Sequence, residues 1–284
     1  MTRAGTPWHD GGEPPFDQQV RHLLDVVYER YQYDFRDYAP ASIHRRVRQA
    51  LSDLRCESVA DLEDAVRHDA GMLSRLLQYL TIQVSDLFRD PEFWLALRLQ
   101  VVPLLRTWPS LKLWIPGVAG GEELYAMAIL LSEEGLLDRT VIYATDMNRE
   151  ALKAAEAGVY PLARLAGFSR NYQRAGGTRS LSEYYTAAYD SARFSRTLTG
   201  QVVFADHDLV TDSVFSEVQL ISCRNVLIYF TPALQNRVLQ LFSDSLVNGG
   251  VLCLGTKETL QFSPRAVDYQ PIDARYRIFR RVQR

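Results

Sequence analysis

The sequence predicts an α/β protein in which a small all-α region precedes a doubly wound sheet of mostly parallel strands. The first observation is that residues 17–80 show only the apolar periodicity of helices. The second is that, from Leu111 onward, short apolar runs alternate with helical stretches, as in parallel sheets covered by helices on both faces. The 284 residues are enough for one large and one small domain.

Composition argues against several classes of protein. The net charge of −2 gives no global electrostatic basis for binding nucleic acid. No apolar run approaches the roughly 18 residues of a membrane span, so no membrane insertion is expected. The three cysteines, Cys56, Cys223 and Cys253, lie far apart and form no Cys-x-x-Cys pair, so neither a disulfide framework nor a metal site is predicted. Residues 1–16 lack the apolar core of a signal peptide and are predicted to be a disordered tail. We therefore expect a cytoplasmic monomer.

In the all-α region, residues 17–80, helical spacing predicts four helices. The apolar positions of the first are Val20, Leu23, Leu24, Val27 and Tyr31. A second helix is predicted after Pro40 and a third after Ser58. The fourth carries Leu73, Leu76, Leu77 and Leu80. Residues 81–110 are then a linker and a connecting helix.

Residues 111–284 are predicted to form the sheet. Its strands are placed at 113–115, 141–144, 202–204, 218–222, 251–254 and 276–279. Helices are predicted at 122–132 and 149–157, and a third begins at Pro232 after the cap Thr231. Asn248-Gly249-Gly250 is interpreted as the end of that third helix. Between about 160 and 200 the alternation lapses, which predicts an insertion with a short hairpin.

Polar residues follow the first two strands, at the edge where open parallel sheets bind ligands. Residues 117–122, Gly-Val-Ala-Gly-Gly-Glu, would let a ligand approach the backbone closely, but a simple tight turn explains them equally well. Asp146 follows the second strand and could accept hydrogen bonds from both ribose hydroxyls of a nucleoside. It could instead cap the next helix, although its position favours the ribose.

The third and fourth strands are also followed by candidate residues. Asp208 could accept a hydrogen bond from an adenine amino group, or could belong to a solvated loop. His207 has no neighbouring ligand at metal spacing. Asn225 could hold a polar part of a ligand or form a turn. Cys223 has no base nearby, so we interpret it as a buried small residue and not a nucleophile.

Three segments together resemble the CheR family of chemoreceptor glutamate methyltransferases. Residues 81–91, Thr-Ile-Gln-Val-Ser-Asp-Leu-Phe-Arg-Asp-Pro, are similar to the family's Thr-Thr-Asn-x-Thr-x-Phe-Phe-Arg. Residues 117–125 are similar to its Gly-x-Ser-x-Gly-Glu-Glu-Pro-Tyr loop, and residues 223–230, Cys-Arg-Asn-Val-Leu-Ile-Tyr-Phe, are the most specific match. Residues 144–146 and 254–258 add weaker matches, so the resemblance covers nearly the whole chain after the tail.

The resemblance implies a class I methyltransferase (Rossmann-like) sheet at 111–284 whose last strand is antiparallel, a small all-α N-terminal domain and a small inserted β-subdomain. It implies the cofactor S-adenosyl-L-methionine, with S-adenosyl-L-homocysteine as product. The cofactor-binding residues would be Thr81, Gln83, Ser85, Arg89, Gly117, Glu122, Asp146, Asp208, Leu209, Asn225 and Val226. Arg89 and Tyr229 would be catalytic, near the transferred methyl. The alternative for Arg89 is a surface salt bridge with Asp86 or Asp90.

The implied activity is direct in-line methyl transfer to glutamate side chains of a chemoreceptor-like signalling protein. A glutamate with a pKa of about 4.3 is already ionised at neutral pH, so no general base is needed. The remaining work is alignment in a desolvated site. Ala119-Gly120 stands where the family has Ser-Thr, Leu124 where it has Pro, and Gln83 and Ser85 where it has Asn and Thr. The alternative is therefore a catalytically weak or inactive signalling adaptor that binds the cofactor or a receptor.

A basic cluster on the predicted second helix is the candidate substrate-docking surface. Its members are Arg45, Arg46, Arg48 and Arg55, of which Arg45, Arg48 and Arg55 fall within a sector of about 80°. By electrostatic complementarity, such a face would bind an acidic receptor helix. An ordinary solvated face explains the charges equally well.

Overall fold

The computed structural model of the chain describes residues 14–81, 83 and 85–282. It divides into two compact units. The helical unit consists of the described residues up to Arg36 together with Pro40–Leu80, and the sheet unit consists of Asp37–Ala39 with the described residues from Thr81 onward. Most of the predicted tail lies outside the described residues, and the first helix already begins at Phe16, the last residue of that tail.

The helical unit contains the four predicted helices. They are α1 (Phe16–Tyr31), α2 (Pro40–Leu54), α3 (Val59–His68) and α4 (Ala70–Leu80). Each buries one apolar row, and the predicted row of α1 is buried at Val20, Leu23, Leu24 and Val27. The start of α3 after Ser58 is confirmed, because the Ser58 side chain and Asp61 form a reciprocal capping box.

Two arginines of the basic cluster differ from the prediction. Arg46 faces the interior with 6% of its surface exposed, and its Nη1 donates to the Leu80 carbonyl, so it cannot belong to a surface docking face. Arg55 is exposed but lies beyond the end of α2 at Leu54, with a left-handed φ of 59°. The prediction that α2 carries all four arginines on its surface is therefore wrong.

The sheet unit contains the remaining elements. Its helices are α5 (Pro91–Ala96), which continues through a π-helical turn into α6 (Val102–Leu105), then α7 (Glu122–Glu133), α8 (Arg149–Ala157), α9 (Leu162–Arg174) and α10 (Pro232–Ser245). Its strands are β1 (Leu111–Pro116), β2 (Thr140–Asp146), β3 (Val159–Pro161), β4 (Tyr185–Ala188), β5 (Ser191–Phe194), β6 (Val202–Asp206), β7 (Val218–Cys223), β8 (Leu246–Leu254), β9 (Tyr269–Asp273) and β10 (Ile278–Arg281).

The main sheet has the strand order β6-β2-β1-β7-β8-β10-β9. The pairs from β6 to β8 are parallel, and the last strand, β10, is antiparallel to both of its neighbours. Helix α7 packs along this sheet with an unbroken run of buried residues from Leu124 to Leu131, as expected for a helix covered on all sides. The predicted doubly wound sheet with a final antiparallel strand is confirmed. None of the helices in the described ranges combines the length and the apolar character that a membrane span needs.

The predicted insertion is a small antiparallel sheet of order β3-β5-β4, with helix α9 beside it. Strands β4 and β5 form the predicted hairpin. Helix α9 was not predicted. The carboxylate of Glu133, at the end of α7, accepts hydrogen bonds from the hydroxyls of Tyr172 and Tyr184, so polar contacts join the insertion to the main domain.

One helix end was predicted in the wrong place. Helix α10 ends at Ser245, and Asn248-Gly249-Gly250 lies inside β8. The pairing of β7 with β8 shifts register between Val218 and Leu220, and Gly249 has a φ of 79°. One class of β-bulge and many helix C-termini contain a residue with positive φ, so glycine suits either. Strand β9, which contains Pro271, was not predicted.

Candidate functional site

The loop after β1 approaches the loops after β2 and β7. Gly117, Ala119 and Gly121 all have positive φ, which folds this loop tightly against the sheet edge. The Ala119 backbone N–H donates to Asp146 Oδ2 at 3.0 Å. A Cβ on Gly117 would lie 2.9 Å from Cγ2 of Val226, so glycine allows the loop to approach the β7 loop.

Asp146 is a buried carboxylate at the end of β2. Its Oδ2 accepts the Ala119 amide, and its Oδ1 accepts the Asn148 amide at 2.9 Å. Burial raises the pKa of Asp146, and these backbone donors oppose the rise. The N-cap of α8 is Asn148, which accepts from the Glu150 amide at 3.0 Å. The interpretation of Asp146 as a helix cap is therefore wrong, and its carboxylate faces the β1 loop.

Glu122, the first residue of α7, is 2% exposed. Its Oε1 accepts a hydrogen bond from Arg164 Nη1 at 2.6 Å. Its Oε2 is buried and has no hydrogen-bond partner among the described residues. Because a buried carboxylate oxygen without a donor is destabilising, this atom suits a donor supplied by a ligand. These buried carboxylate acceptors fit a cofactor that carries hydroxyl and ammonium donors.

The linker before α5 reaches this same edge. Thr81 Oγ1 accepts from Asn148 Nδ2 at 3.0 Å and from Gln83 Nε2 at 3.1 Å. The Ser85 carbonyl accepts from Arg164 Nη2 at 2.5 Å. The predicted linker residues therefore lie beside Asp146 at one end and Glu122 at the other.

Arg89 lies in a strained turn at the end of this linker. Its neighbours Phe88 and Asp90 have φ values of 51° and 56°, and its carbonyl accepts from Arg224 Nη2 at 3.2 Å. Asp90 pairs with Arg224 at 2.7 Å and Asp86 with Arg164 at 3.7 Å. Within the described part of the chain, the half-buried Arg89 guanidinium forms no ion pair, so the predicted alternative of a salt bridge to either aspartate is not observed.

The loop after β7 is held by the buried carboxylate of Glu258, a residue to which the sequence analysis gave no role. Asn225 has a left-handed φ of 63°, and its amide donates to Glu258 Oε2 at 3.1 Å. Burial raises the pKa of Glu258, while amides of residues 225, 227, 228 and 255 oppose the rise. The half-buried Tyr229 follows, and its carbonyl accepts from the Ala39 amide at 2.8 Å. The backbone of both predicted site residues is thus fixed.

Cys223 and Arg224 precede that loop. Cys223 is fully buried, and burial raises the pKa of its thiol well above the usual range, which supports the interpretation that it is not a nucleophile. Arg224 stacks on Phe93 with its guanidinium carbon 3.9 Å from the ring centroid, and it lies 3.5 Å from the Glu123 carboxylate. Arg224 thereby fastens the Arg89 turn to the sheet.

Asp208 and Leu209 follow β6 beside the Asp146 loop. The His207 amide donates to the Asp146 carbonyl at 3.3 Å, and Asp208 Oδ1 accepts the Val210 amide at 2.8 Å. Leu209 is buried. The predicted site residues of the sheet unit therefore lie along one edge of the sheet. In the helical unit, Arg45 and Arg48 are exposed, and Arg48 lies over the Phe16 ring at 4.3 Å.

Comparison with known proteins shows the family. A family model described as the CheR methyltransferase SAM binding domain matches residues 83–275, and one described as the CheR methyltransferase all-alpha domain matches residues 18–81. The chain belongs to the CheR methyltransferase family. Its cofactor is accordingly S-adenosyl-L-methionine.

Named relatives agree with this assignment. A Pseudomonas putida protein named as a methyltransferase, Cher3, is 53% identical over 265 residues, which cover 93% of this chain and 97% of that protein. A chemotaxis protein methyltransferase of Listeria innocua is 29% identical over 254 residues, 87% of this chain and 92% of that one. Chemotaxis protein methyltransferase 1 of Vibrio cholerae is 28% identical over 255 residues, which cover 86% of this chain and 90% of that protein.

Proposed function

We propose that this methyltransferase esterifies glutamate side chains of a chemoreceptor-like signalling protein by direct in-line transfer, in the cytoplasm. Membership of the CheR family and relatives named as chemotaxis methyltransferases support this class of substrate. The observation that carries the proposal is Arg89: a half-buried guanidinium in a strained turn whose neighbouring carboxylates are paired with other arginines. Such a cation suits a carboxylate substrate.

In this proposal the buried acceptors bind the cofactor. Asp146 accepts the ribose hydroxyls with the lone pairs that its two backbone bonds leave free. Glu122 Oε2 accepts a cationic donor, and Asp208 with Leu209 borders the adenine. Gly117 and Val226, where the loops after β1 and β7 approach each other, are assigned to the cofactor together with Asn225, and so are Thr81, Gln83 and Ser85 of the linker. When bound, the cofactor supplies a methyl group activated by a sulfonium centre.

The remaining residues align the substrate. A glutamate carboxylate is ionised at neutral pH, so the site needs no general base. Arg89 orients this carboxylate by a charge-assisted hydrogen bond, and Tyr229 steers the attacking oxygen or covers the sulfonium with its ring. Exclusion of water favours the reaction, since an anion and a cation lose charge as they combine.

Receptor recognition is assigned to the exposed part of the basic cluster. Arg45 and Arg48 lie on the surface of α2 and Arg55 just past its end, so the three could contact an acidic receptor helix. Arg46 is left out of this surface because it is buried.

The test is transfer of a labelled methyl group from S-adenosyl-L-methionine to the cytoplasmic fragment of a receptor from the same cell. Mild base should release the label as methanol, because a carboxyl ester is base-labile and an N-methyl group is not. A receptor fragment whose methyl-accepting glutamates are replaced by alanine is the control. If the wild-type protein binds S-adenosyl-L-homocysteine but forms no base-labile product with any receptor of its cell, it is a signalling adaptor.

A further inference from the structure

Arg164 belongs to α9 of the inserted subdomain, yet it contacts the candidate cofactor site. Its Nη1 donates to Glu122 Oε1 at 2.6 Å, and its Nη2 donates to the Ser85 carbonyl at 2.5 Å. Its guanidinium carbon lies 4.7 Å from the Phe168 ring centroid, which holds the side chain against its own helix. One guanidinium thus joins three segments that are distant in sequence: the linker, the start of α7 and the insertion.

The hydrogen bond from Arg164 determines which oxygen of Glu122 can accept a hydrogen bond from a ligand. Oε1 is occupied by Arg164, and Oε2 remains buried without a donor in the described structure. Oε2 points at the β1 loop, because a Cβ built on Gly120 would lie only 2.8 Å from it. Arg164 therefore presents one acceptor atom toward the loop that approaches the cofactor.

The chemistry of the cofactor indicates which donor this atom would receive. S-adenosyl-L-methionine carries ribose hydroxyls, an adenine amino group and the ammonium group of its amino-acid end. Asp146 and Asp208 are proposed for the first two. A carboxylate oxygen that is buried and fixed binds a charged donor more strongly than a neutral one, which favours the ammonium.

We propose that Arg164 is a positioning residue for the amino-acid end of the cofactor. It fixes the Glu122 carboxylate so that Oε2 faces the ammonium, and it holds the Ser85 end of the linker beside it. This inference rests on the proposed role of Glu122 in cofactor binding, but it does not depend on the identity of the methyl acceptor.

Two ligands separate this role from general support of the fold. S-adenosyl-L-homocysteine carries the amino-acid end, whereas 5′-methylthioadenosine shares the adenosine and sulfur but lacks that end. In calorimetric titrations of the full chain, Arg164→Met should lower the affinity for S-adenosyl-L-homocysteine about tenfold, as expected for loss of a charge-assisted contact. It should leave 5′-methylthioadenosine within about twofold of the wild-type value.

Arg170→Met is the matched control, because Arg170 is an exposed arginine of the same helix and should affect neither ligand. Arg164→Lys should recover part of the affinity, since a lysine can restore one donor but not the fork that joins two acceptors. In a Glu122→Gln background, Arg164→Met should weaken binding of S-adenosyl-L-homocysteine less than it does in the wild type, because the contact with the Glu122 carboxylate is already lost and only the contact with the Ser85 carbonyl remains to be removed.

Three results would overturn the proposal. Equal weakening of both ligands would make Arg164 a merely structural residue, and unchanged binding would remove it from the site. Tighter binding of S-adenosyl-L-homocysteine by Arg164→Met would mean that Arg164 competes with the ammonium. A wild-type protein that binds this ligand as expected but esterifies no receptor would contradict the proposed function and leave the role of Arg164 standing.

Discussion

The helical unit and the sheet unit bury charged side chains in different ways. In the described helical unit these are Asp34 and Arg46, which bind main-chain groups of the same unit: Asp34 accepts from the Arg36 amide, and Arg46 of α2 donates to the carbonyl that ends α4. In the sheet unit they are Glu122, Asp146, Arg224 and Glu258, and all four lie in or directly beside the loops at one edge of the sheet.

Burial of charge is destabilising unless partners or ligands offset it, so its concentration at one edge favours that edge as the ligand-binding region. Part of it is structural: Glu258 and Arg224 hold loops. Part is incompletely paired, as at Glu122 Oε2. We propose that the sheet unit carries the chemistry and that the exposed arginines of the helical unit recognise the receptor. Substitutions in the sheet unit should affect cofactor binding or the rate of the chemical step. Substitutions of the exposed arginines of the helical unit should leave cofactor binding unchanged and lower only the methylation of the receptor.

The largest effect is expected from Arg89→Ala. Loss of the guanidinium that orients the substrate carboxylate should raise the barrier to ester formation by about 2.7–4 kcal/mol, roughly a hundredfold or more in rate. Cofactor affinity should weaken less, because Arg89 acts mainly on the reacting groups. The measurement is kcat for base-labile methyl transfer beside calorimetry with S-adenosyl-L-homocysteine. Equal losses in both would assign Arg89 to cofactor binding alone.

Tyr229→Phe should also lower the rate of methyl transfer severely. If the Tyr229 hydroxyl donates a hydrogen bond to the charged nucleophile, its loss should raise the barrier by about 1.5–3 kcal/mol. The backbone of Tyr229 is fixed by its own carbonyl, which accepts from Ala39, so the loop should keep its conformation. Affinity for S-adenosyl-L-homocysteine should therefore be nearly unchanged. Tyr185→Phe, a half-buried tyrosine of the insertion, is the control. An active Tyr229→Phe enzyme would remove Tyr229 from the catalytic pair, while family membership would stand.

Asp146→Ala should weaken the binding of S-adenosyl-L-homocysteine by about 1–3 kcal/mol, because the ribose hydroxyls lose their proposed acceptor. The loop amide of Ala119 loses its acceptor as well, so a thermal unfolding curve without ligand must accompany the titration. Unchanged affinity would exclude Asp146 from the cofactor site and leave it a purely structural carboxylate.

The pH dependence of binding provides a finer test of the same residue. Burial raises the pKa of Asp146 above that of an ordinary aspartate, about 3.9. The ionised form accepts the ribose hydroxyls, so affinity should be complete above the raised pKa and fall as the pH drops through it. Folding stability should change in the opposite sense, because the native state retains the extra proton: this group's contribution decreases as the pH rises through the same interval. Asp146→Asn should flatten both curves there, and a pH-independent wild-type affinity would contradict the assignment.

Much of this edge was predictable from the sequence, because each parallel strand is a short apolar run and the residue after it must lie at the carboxyl end. That reasoning located Gly117, Asp146 and Asn225. It could not find Arg164, which is 42 residues from its partner Glu122 in sequence. Arg164 lies on α9, a helix that was not predicted because the alternation of strands and helices lapses there. Glu258 was inside a matched segment, but only the folded chain shows that its carboxylate binds the amides of the β7 loop. Arg46 was misplaced because it was grouped with its sequence neighbours, although helical spacing puts it about 100° from Arg45, outside the sector of the other three arginines and beside the buried row of α2.

The smallest effect is expected in the helical unit, from combined Arg45→Glu and Arg48→Glu. Both side chains are exposed, so folding and binding of S-adenosyl-L-homocysteine should be unchanged, while receptor methylation should fall severalfold through a higher KM. The loss should be greatest at low salt, since the Debye length is about 30 Å at 0.01 M and about 8 Å at 0.15 M. Combined Arg21→Glu and Arg75→Glu, on α1 and α4, changes the net charge equally without touching the cluster and should have a smaller effect. If the two double variants methylate receptor equally well at low ionic strength, the basic face of α2 is an ordinary solvated surface, and receptor recognition must be sought in the sheet unit.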